Sequence, residues 1–218
     1  MQDFLKVTGM VIGVFPQGEY DRRITLLTRE QGKITAFAKG ARRQGSRFCA
    51  ATDMFSFGEF DLYVGRTAYN VQDVKISNYF ENLRTDMEAA GYAMYFAELS
   101  EYYAVENQDE SVLLLLLYRA LQGLKSERLT NEFVRRVYEI KLFCIEGEFI
   151  PIENLGVFAP SVKEAVDYIS KSTIEKLYNF TVDEETDKML AYIADTEMNR
   201  LTDRKFKSLE ILKAFLLS

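Results

Sequence analysis

The 218-residue chain contains no histidine. That removes the commonest general base and the commonest zinc ligand together, and it excludes serine–histidine and cysteine–histidine nucleophilic machinery. Two cysteines, Cys49 and Cys144, are too few for a disulfide framework or a sulfur-rich metal site within one chain, and both read as small apolar residues. No apolar run approaches the ~20 residues of a membrane span; the best is residues 112–117. The opening MQDFLKVTG lacks the charged-then-apolar layout of a signal peptide, so a cytoplasmic protein is expected, with no membrane partner. Neither a GxxxxGK[ST] loop nor a GxGxxG turn occurs, so no ATP, dinucleotide or other cofactor is indicated. Thirty-three carboxylates are present, but no pair stands out as an acid/base couple. The expectation is a protein that binds rather than an enzyme.

The charge is unevenly placed. Residues 1–80 carry 11 basic and 8 acidic side chains, a net of +3, whereas residues 81–218 carry 16 and 25, a net of −9. Two modules with different partners are expected, divided near residue 80. Within the first, residues 18–47 concentrate Arg22, Arg23, Arg29, Lys33, Lys39, Arg42, Arg43 and Arg47 against a single acid after Arg22, Glu30. Like charges packed into one segment repel unless a polyanion or an acidic partner relieves them. Singly, each cation reads as well as an ordinary solvated side chain.

The pattern beneath the charge is that of strands. Residues 24–28 and 34–39 are short apolar or β-branched runs joined by a turn in which Gly32 can take positive φ. Residues 7–15 carry glycines at 9 and 13 that suit a sharply bent strand, and residues 69–77 follow a turn at Gly65-Arg66. In residues 55–64 the apolar phase switches from Phe55 and Phe57 to Phe60, Leu62 and Val64, which predicts a β-bulge at Gly58-Glu59. Five short bent strands with basic loops match a five-stranded Greek-key barrel of the oligonucleotide/oligosaccharide-binding (OB) type; an SH3-like barrel is the competitor. Most phenylalanines must fill such a barrel. Tyr20 and Phe48, in predicted loops beside arginines, are the candidates for stacking on bases.

The same stretch resembles the amino-terminal domain of the RecO family of bacterial recombination mediators. The matching residues are Gly18, Glu19, Asp21 and Arg22; then Leu27-Thr28-Arg29-Glu30, Gly32-Lys33-Ile34, Lys39-Gly40-Ala41-Arg42-Arg43 and Ser46-Arg47. The resemblance covers about the first 80 residues and continues more weakly beyond them. It implies an OB barrel followed by a helical domain, binding and annealing of single-stranded DNA, association with RecR and with single-stranded DNA-binding protein, and loading of RecA.

After about residue 82 the period becomes helical. Residues 86–104 are apolar on almost every side (Met87, Ala90, Tyr92, Met94, Tyr95, Leu99, Tyr102, Tyr103), the mark of a helix at the centre of a bundle. Asp109 can cap a helix over 112–124. Thr130 can cap another over 131–144, with Phe133, Val137, Ile140 and Cys144 on one stripe. Residues 145–160, with Pro151, Gly156 and Pro160, form a connection. Many RecO-like proteins carry a four-cysteine zinc ribbon at about this place; this segment has no CxxC pair, which argues against a bound zinc. Ser161 with Glu164 and Ser172 with Glu175 have capping-box spacing. A last helix presents Phe206, Leu209, Leu212 and Leu216.

Arg200, Arg204, Lys205, Lys207 and Lys213 make a second basic patch. It reads either as a solvated face with cations near helix ends or, through the family resemblance, as a site for the acidic carboxy-terminal tail of single-stranded DNA-binding protein. The expected fold is therefore α+β, an OB barrel over 1–80 and helices over 81–218. The expected function is a cytoplasmic, nucleoid-associated recombination mediator that holds single-stranded DNA through Arg22, Arg23, Lys33, Lys39, Arg42, Arg43 and Arg47 with Tyr20 and Phe48. Its protein-partner site would be Arg200, Arg204, Lys205 and Lys207. The alternative is an interaction adaptor with little direct DNA binding, which the net charge of −6 motivates. A hydrolase using a borrowed metal has no motif to support it.

Overall fold

The computed structural model describes residues 4–65 and 68–216. Five strands, β1 (Phe4–Gln17), β2 (Asp21–Thr28), β3 (Gly32–Ala38), β4 (Phe57–Val64) and β5 (Tyr69–Asn78), close into a barrel in the order β1-β2-β3-β5-β4. All neighbours are antiparallel except β3 and β5, which run parallel through Ala36–Tyr69 and Phe37–Asn70. A one-turn helix, α1 (Phe48–Ala51), lies between β3 and β4. This is the expected OB-type barrel. Arg66, in the turn expected between the last two strands, lies outside the described residues.

Alternation decides what fills the barrel. Val7, Val11, Ile24, Leu26, Ile34, Ala36, Ala38, Phe60, Leu62 and Val71 point inward and form one core. A residue bulged out of β1 at Ile12, where Val11 pairs with Leu26 and Gly13 with Thr25, supplies bending of the kind the glycines suggested. The register also breaks at Phe57/Gly58, beside the predicted bulge, but the extra residue is on the partner strand. Ser77 of β5 is passed over between Ile76, opposite Gly58, and Asn78, opposite Phe57. The phase switch within residues 55–64 has another cause as well: Phe55 precedes β4 and is turned inward at a φ of 67°.

The helices are α2 (Met87–Tyr103), α3 (Ser111–Gly123), α4 (Asn131–Ile145), α5 (Ile152–Leu155), α6 (Pro160–Lys171), α7 (Glu184–Leu201) and α8 (Lys207–Leu216). The chain divides into two compact units, residues 1–84 with 97–114, and residues 85–96 with 115–218, so that α2 and α3 are each shared. In the second unit, α4 packs with α6 and α7. Its aromatic centre is Phe96 stacked on Tyr138, ring centroids 4.4 Å apart.

Caps explain where the helices begin. Thr130 accepts the Phe133 N–H at the start of α4, and the Asp109 carboxylate accepts the Ser111 N–H at the start of α3. The two expected capping boxes do not form. Pro160 takes the first position of α6, which leaves Ser161 inside the first turn, where its hydroxyl pairs with that of Thr186. Ser172 ends α6 instead, its hydroxyl bonded back to the Tyr168 carbonyl. Met87 and Met94 of α2 are exposed rather than enclosed, and α8 docks through Phe206 and Leu212 while Leu216 remains outside. The connection before α6 holds α5 and is tied to α7: the Ile150 N–H donates to buried Glu197, and Arg200 donates to the Glu148 carbonyl.

Candidate nucleic-acid interface

The β1–β2 turn and the loop after β3 are clipped together at one end of the barrel. The Asp21 carboxylate accepts the Gly40 N–H at 2.7 Å. The Tyr20 carbonyl accepts the Arg42 N–H at 2.8 Å, and the Arg42 guanidinium donates to the Gly18 carbonyl at 3.1 Å. Four of the six groups in these bonds are backbone, so the clip fixes the course of both loops and not merely a pair of tips. Onto this frame the structure brings Tyr20, Arg23, Lys39, Arg42 and Arg43, all with exposed side chains. Arg43 lies over the Tyr20 ring, 5.1 Å from its centroid, and Arg23 lies over Phe15 at 4.7 Å. Guanidinium held on an aromatic face keeps its charge while giving up conformational freedom before any ligand arrives.

Four of the sequence candidates have intramolecular work instead. Arg22 reaches α1, donating to the Cys49 carbonyl at 2.7 Å and to the Thr52 hydroxyl at 3.3 Å. Arg47 pairs with Asp73 at 2.9 Å and donates to the carbonyl of Gln72, the residue bulged out of the β4–β5 ladder. The Phe48 ring is half-buried against the barrel core with Arg47 across its face, 4.7 Å from its centroid, so little of it is offered to a base. Lys33 lies at the far end of β3 from the clip, a strand length of roughly 20 Å away, and its Nζ donates to the Glu101 carbonyl at 2.8 Å.

Lys33 is occupied because the outer wall of the barrel is covered there. The β2–β3 turn is hydrogen-bonded to the segment after α2: Lys33 N–H to Val105, Asn107 N–H to Gln31 and Glu110 N–H to Arg29. Beside that turn Leu27 points outward from β2 and is nonetheless fully buried. A ligand lying on the outside of β2 and β3 is thus confined to the clipped end.

One residue of this surface escaped the sequence reading. Phe15 falls within the strand expected over residues 7–15, and in the structure its side chain is 43% exposed beneath Arg23. The signal was available: a turn over residues 18–20 sets Phe15 directly opposite Arg23.

The second basic patch divides in the same way. Arg204, Lys205 and Lys213, with Arg135, Phe206 and Leu209, border a cavity of about 510 Å³. Arg200 and Lys207 do not line it. Arg200 is bonded to Glu197, through Nε at 3.0 Å and Nη2 at 2.7 Å, and to Glu148. Among the described residues no helix is long and apolar enough to cross a membrane.

Comparison with known proteins gives a family for both parts of the chain. Residues 1–80 match the family model described as recombination protein O N terminal, and residues 84–154 match the one described as recombination protein O C terminal. The chain is similar to the DNA repair protein RecO of Alkaliphilus metalliredigens, 37% identical over 143 residues that cover 66% of this chain and 58% of that one. It is also similar to the DNA repair protein RecO of Acetivibrio thermocellus, 28% identical over 97% of both chains. A third relative of that name, from Clostridium novyi, is 26% identical over 94% of this chain and 92% of its own.

Proposed function

Because the chain belongs to the RecO family of DNA repair proteins, we propose that it is a recombination mediator without chemistry of its own. It binds single-stranded DNA at the clipped end of the barrel and anneals complementary strands. The observation that carries this reading is the frame itself: Asp21 and Tyr20 hold the 39–43 loop so that Arg23, Lys39, Arg42 and Arg43 stand together in solvent beside Tyr20. These cations neutralise phosphates. Arg47, already paired at the surface, contributes at the edge, and Arg22, Lys33 and Phe48 act as supports. Annealing follows from screening: two strands whose phosphates are neutralised repel each other less, so complementary bases meet without ATP.

Residues 1–80 take the nucleic acid in this reading, and residues 81–218 take protein partners. The cavity's cations, Arg135, Arg204, Lys205 and Lys213, share its lining with Asp195, Asp203 and Glu210, and Arg135 and Lys205 are paired with Asp195 and Glu210; Arg204 and Lys213 beside Phe206 and Leu209 supply the charge and apolar wall that suit the acidic tail of single-stranded DNA-binding protein. Association with RecR and delivery of RecA to gapped DNA complete the role that membership of the family suggests, in the cytoplasm at the nucleoid.

The test is fluorescence anisotropy of a labelled single-stranded oligonucleotide against salt concentration, for the wild type and for Arg42→Ala with Arg43→Ala. Each lost phosphate contact flattens the logarithmic slope by about 0.7, so the double variant should flatten it by about 1.4. The net charge of −6 favours a second reading, an adaptor that meets acidic protein rather than DNA. Weak wild-type binding with the same slope in the variant would select it.

A further inference from the structure

Arg135 joins a buried acid to an exposed one. Its Nε donates to the fully buried Glu139 carboxylate at 2.8 Å, and its Nη2 meets the exposed Asp195 at 2.8 Å on the border of the cavity of about 510 Å³. The Tyr95 hydroxyl donates to the same Glu139 oxygen, Oε1, at 2.5 Å, and the Tyr95 ring packs edge-on against Phe206, a wall of that cavity. The second oxygen, Oε2, is buried with no hydrogen-bond partner among the described residues. The titratable and charged groups that face Glu139 are Tyr95 from α2, Arg135 from its own helix α4 and Asp195 from α7. One cation therefore serves two carboxylates. A ligand carboxylate drawn into the cavity is a third negative charge about that guanidinium. Asp195, at the surface, keeps its charge in solvent. Glu139 is held inside, and what relieves it is a proton.

We propose that binding of an acidic peptide in this cavity is coupled to uptake of a proton by Glu139, so that the site holds its partner more tightly at mildly acid pH. The proposal rests on the reading of the cavity as the acidic-tail site. Burial already raises the Glu139 carboxyl against the opposition of Arg135, and the ligand weakens that opposition. The occupied site then holds the proton more tightly than the empty one. Affinity is highest below the empty-site value and falls as the pH rises towards the occupied-site value, by at most about tenfold per pH unit. With no histidine in the chain, no side chain of ordinary value titrates between about pH 5.5 and 7.5 to obscure this. Protonation of the peptide's own acids would weaken binding at low pH, the opposite sign.

The experiment is fluorescence anisotropy of a labelled peptide copied from the acidic tail, at constant ionic strength from about pH 5.5 to 7.5, for the wild type and for Glu139→Gln, which is neutral and of the same shape. The wild type should lose at least about fivefold in affinity across that range. The glutamine variant should hold one affinity throughout. Calorimetry of the wild type alone, in two buffers of different ionisation enthalpy, should register proton uptake on binding, which tests the coupling even if the variant fails to fold. A wild-type affinity that is flat with pH and shows no proton uptake, or a pH dependence that survives in the glutamine variant, overturns the coupling while leaving the tail site in place. Failure of the wild type to bind the peptide at the acid end of the range in low salt overturns the tail reading with it.

Discussion

Arg22 and Arg23 are consecutive in β2 and serve opposite faces of the barrel wall. Arg22 turns to α1 and donates to Cys49 and Thr52, while Arg23 turns outward onto Phe15. The two-residue period of a strand is the whole cause. Their alanine variants should therefore separate cleanly. Arg22→Ala removes a charged donor from a backbone carbonyl and should lower the unfolding free energy in urea by about 1–2 kcal/mol, with little change in the salt slope of oligonucleotide binding. Arg23→Ala should leave the urea midpoint within error and weaken binding.

Gly32 marks the place where the barrel accepts the segment after α2. Its φ is +62°, and a Cβ there would stand 1.9 Å from the Val105 carbonyl oxygen, a backbone atom that cannot rotate away. Gly45 has a similar φ of +74° with nothing within 4 Å. Alanine at Gly45 should cost only the left-handed conformation, about 1–2 kcal/mol. Gly32→Ala should cost ~3 kcal/mol or more, because the Lys33–Val105 and Asn107–Gln31 hydrogen bonds must give way as well. Equal losses at the two glycines would show that the segment does not bear on Gly32.

Features set by near neighbours in the chain were legible in the sequence. The β2–β3 hairpin, the Thr130 cap and the Arg-rich loop each depend on residues within a few positions, and each is present. Features set by distant partners were not. Lys33 reads as one more cation of the cluster until Glu101, 68 residues on, is seen to accept from it. Arg47 and Phe48 likewise read as loop residues until Asp73 and the barrel core are placed against them. Ser161 and Glu164 have a correct local pattern that lost to a stronger one: Pro160 already has the φ of a first helical residue and no N–H to cap. A helix over 184–201, started by Asp183 on the Thr186 N–H, was missed although its cap is written in the sequence.

The second unit contains a buried charge whose cost should be visible in the pH dependence of stability. Glu139 is fully buried; its Oε1 accepts from Tyr95 at 2.5 Å and from Arg135 at 2.8 Å, and Arg135 reaches out to Asp195. Burial pushes the Glu139 carboxyl above the usual carboxylate range, and Arg135 opposes the rise. The folded state therefore holds this proton more tightly than the unfolded state. Its contribution favours folding at acid pH and declines as the pH rises from the ordinary carboxylate value through the raised one. Arg135→Met removes the opposing charge and should cost about 3–5 kcal/mol at neutral pH. The deficit should shrink when urea unfolding is repeated near pH 5, and Glu139→Gln in the same background should abolish that difference. A deficit independent of pH would mean that lost packing, not the stranded carboxylate, is responsible.

Arg200 and Arg204 lie within one turn's length in sequence and should respond oppositely to substitution. Arg200 holds the connection before α5 by donating to Glu197 and to the Glu148 carbonyl, and Glu197 in turn receives the Ile150 N–H. Arg200→Ala leaves a fully buried carboxylate short of its cation, so it should lower stability by roughly 2–3 kcal/mol and leave tail binding nearly unchanged. Arg204 borders the cavity over the Phe206 ring, 5.0 Å from its centroid, with Lys205 beside it. Arg204→Glu with Lys205→Glu should preserve the urea midpoint and weaken a fluorescent peptide copied from the acidic tail by tenfold or more, the scale of two lost charge-assisted contacts of about 1 kcal/mol each. If the peptide binds the charge-reversed protein as it binds the wild type, the cavity is not the tail site, and the cations around it are the solvated helix-end charges that the sequence equally allowed.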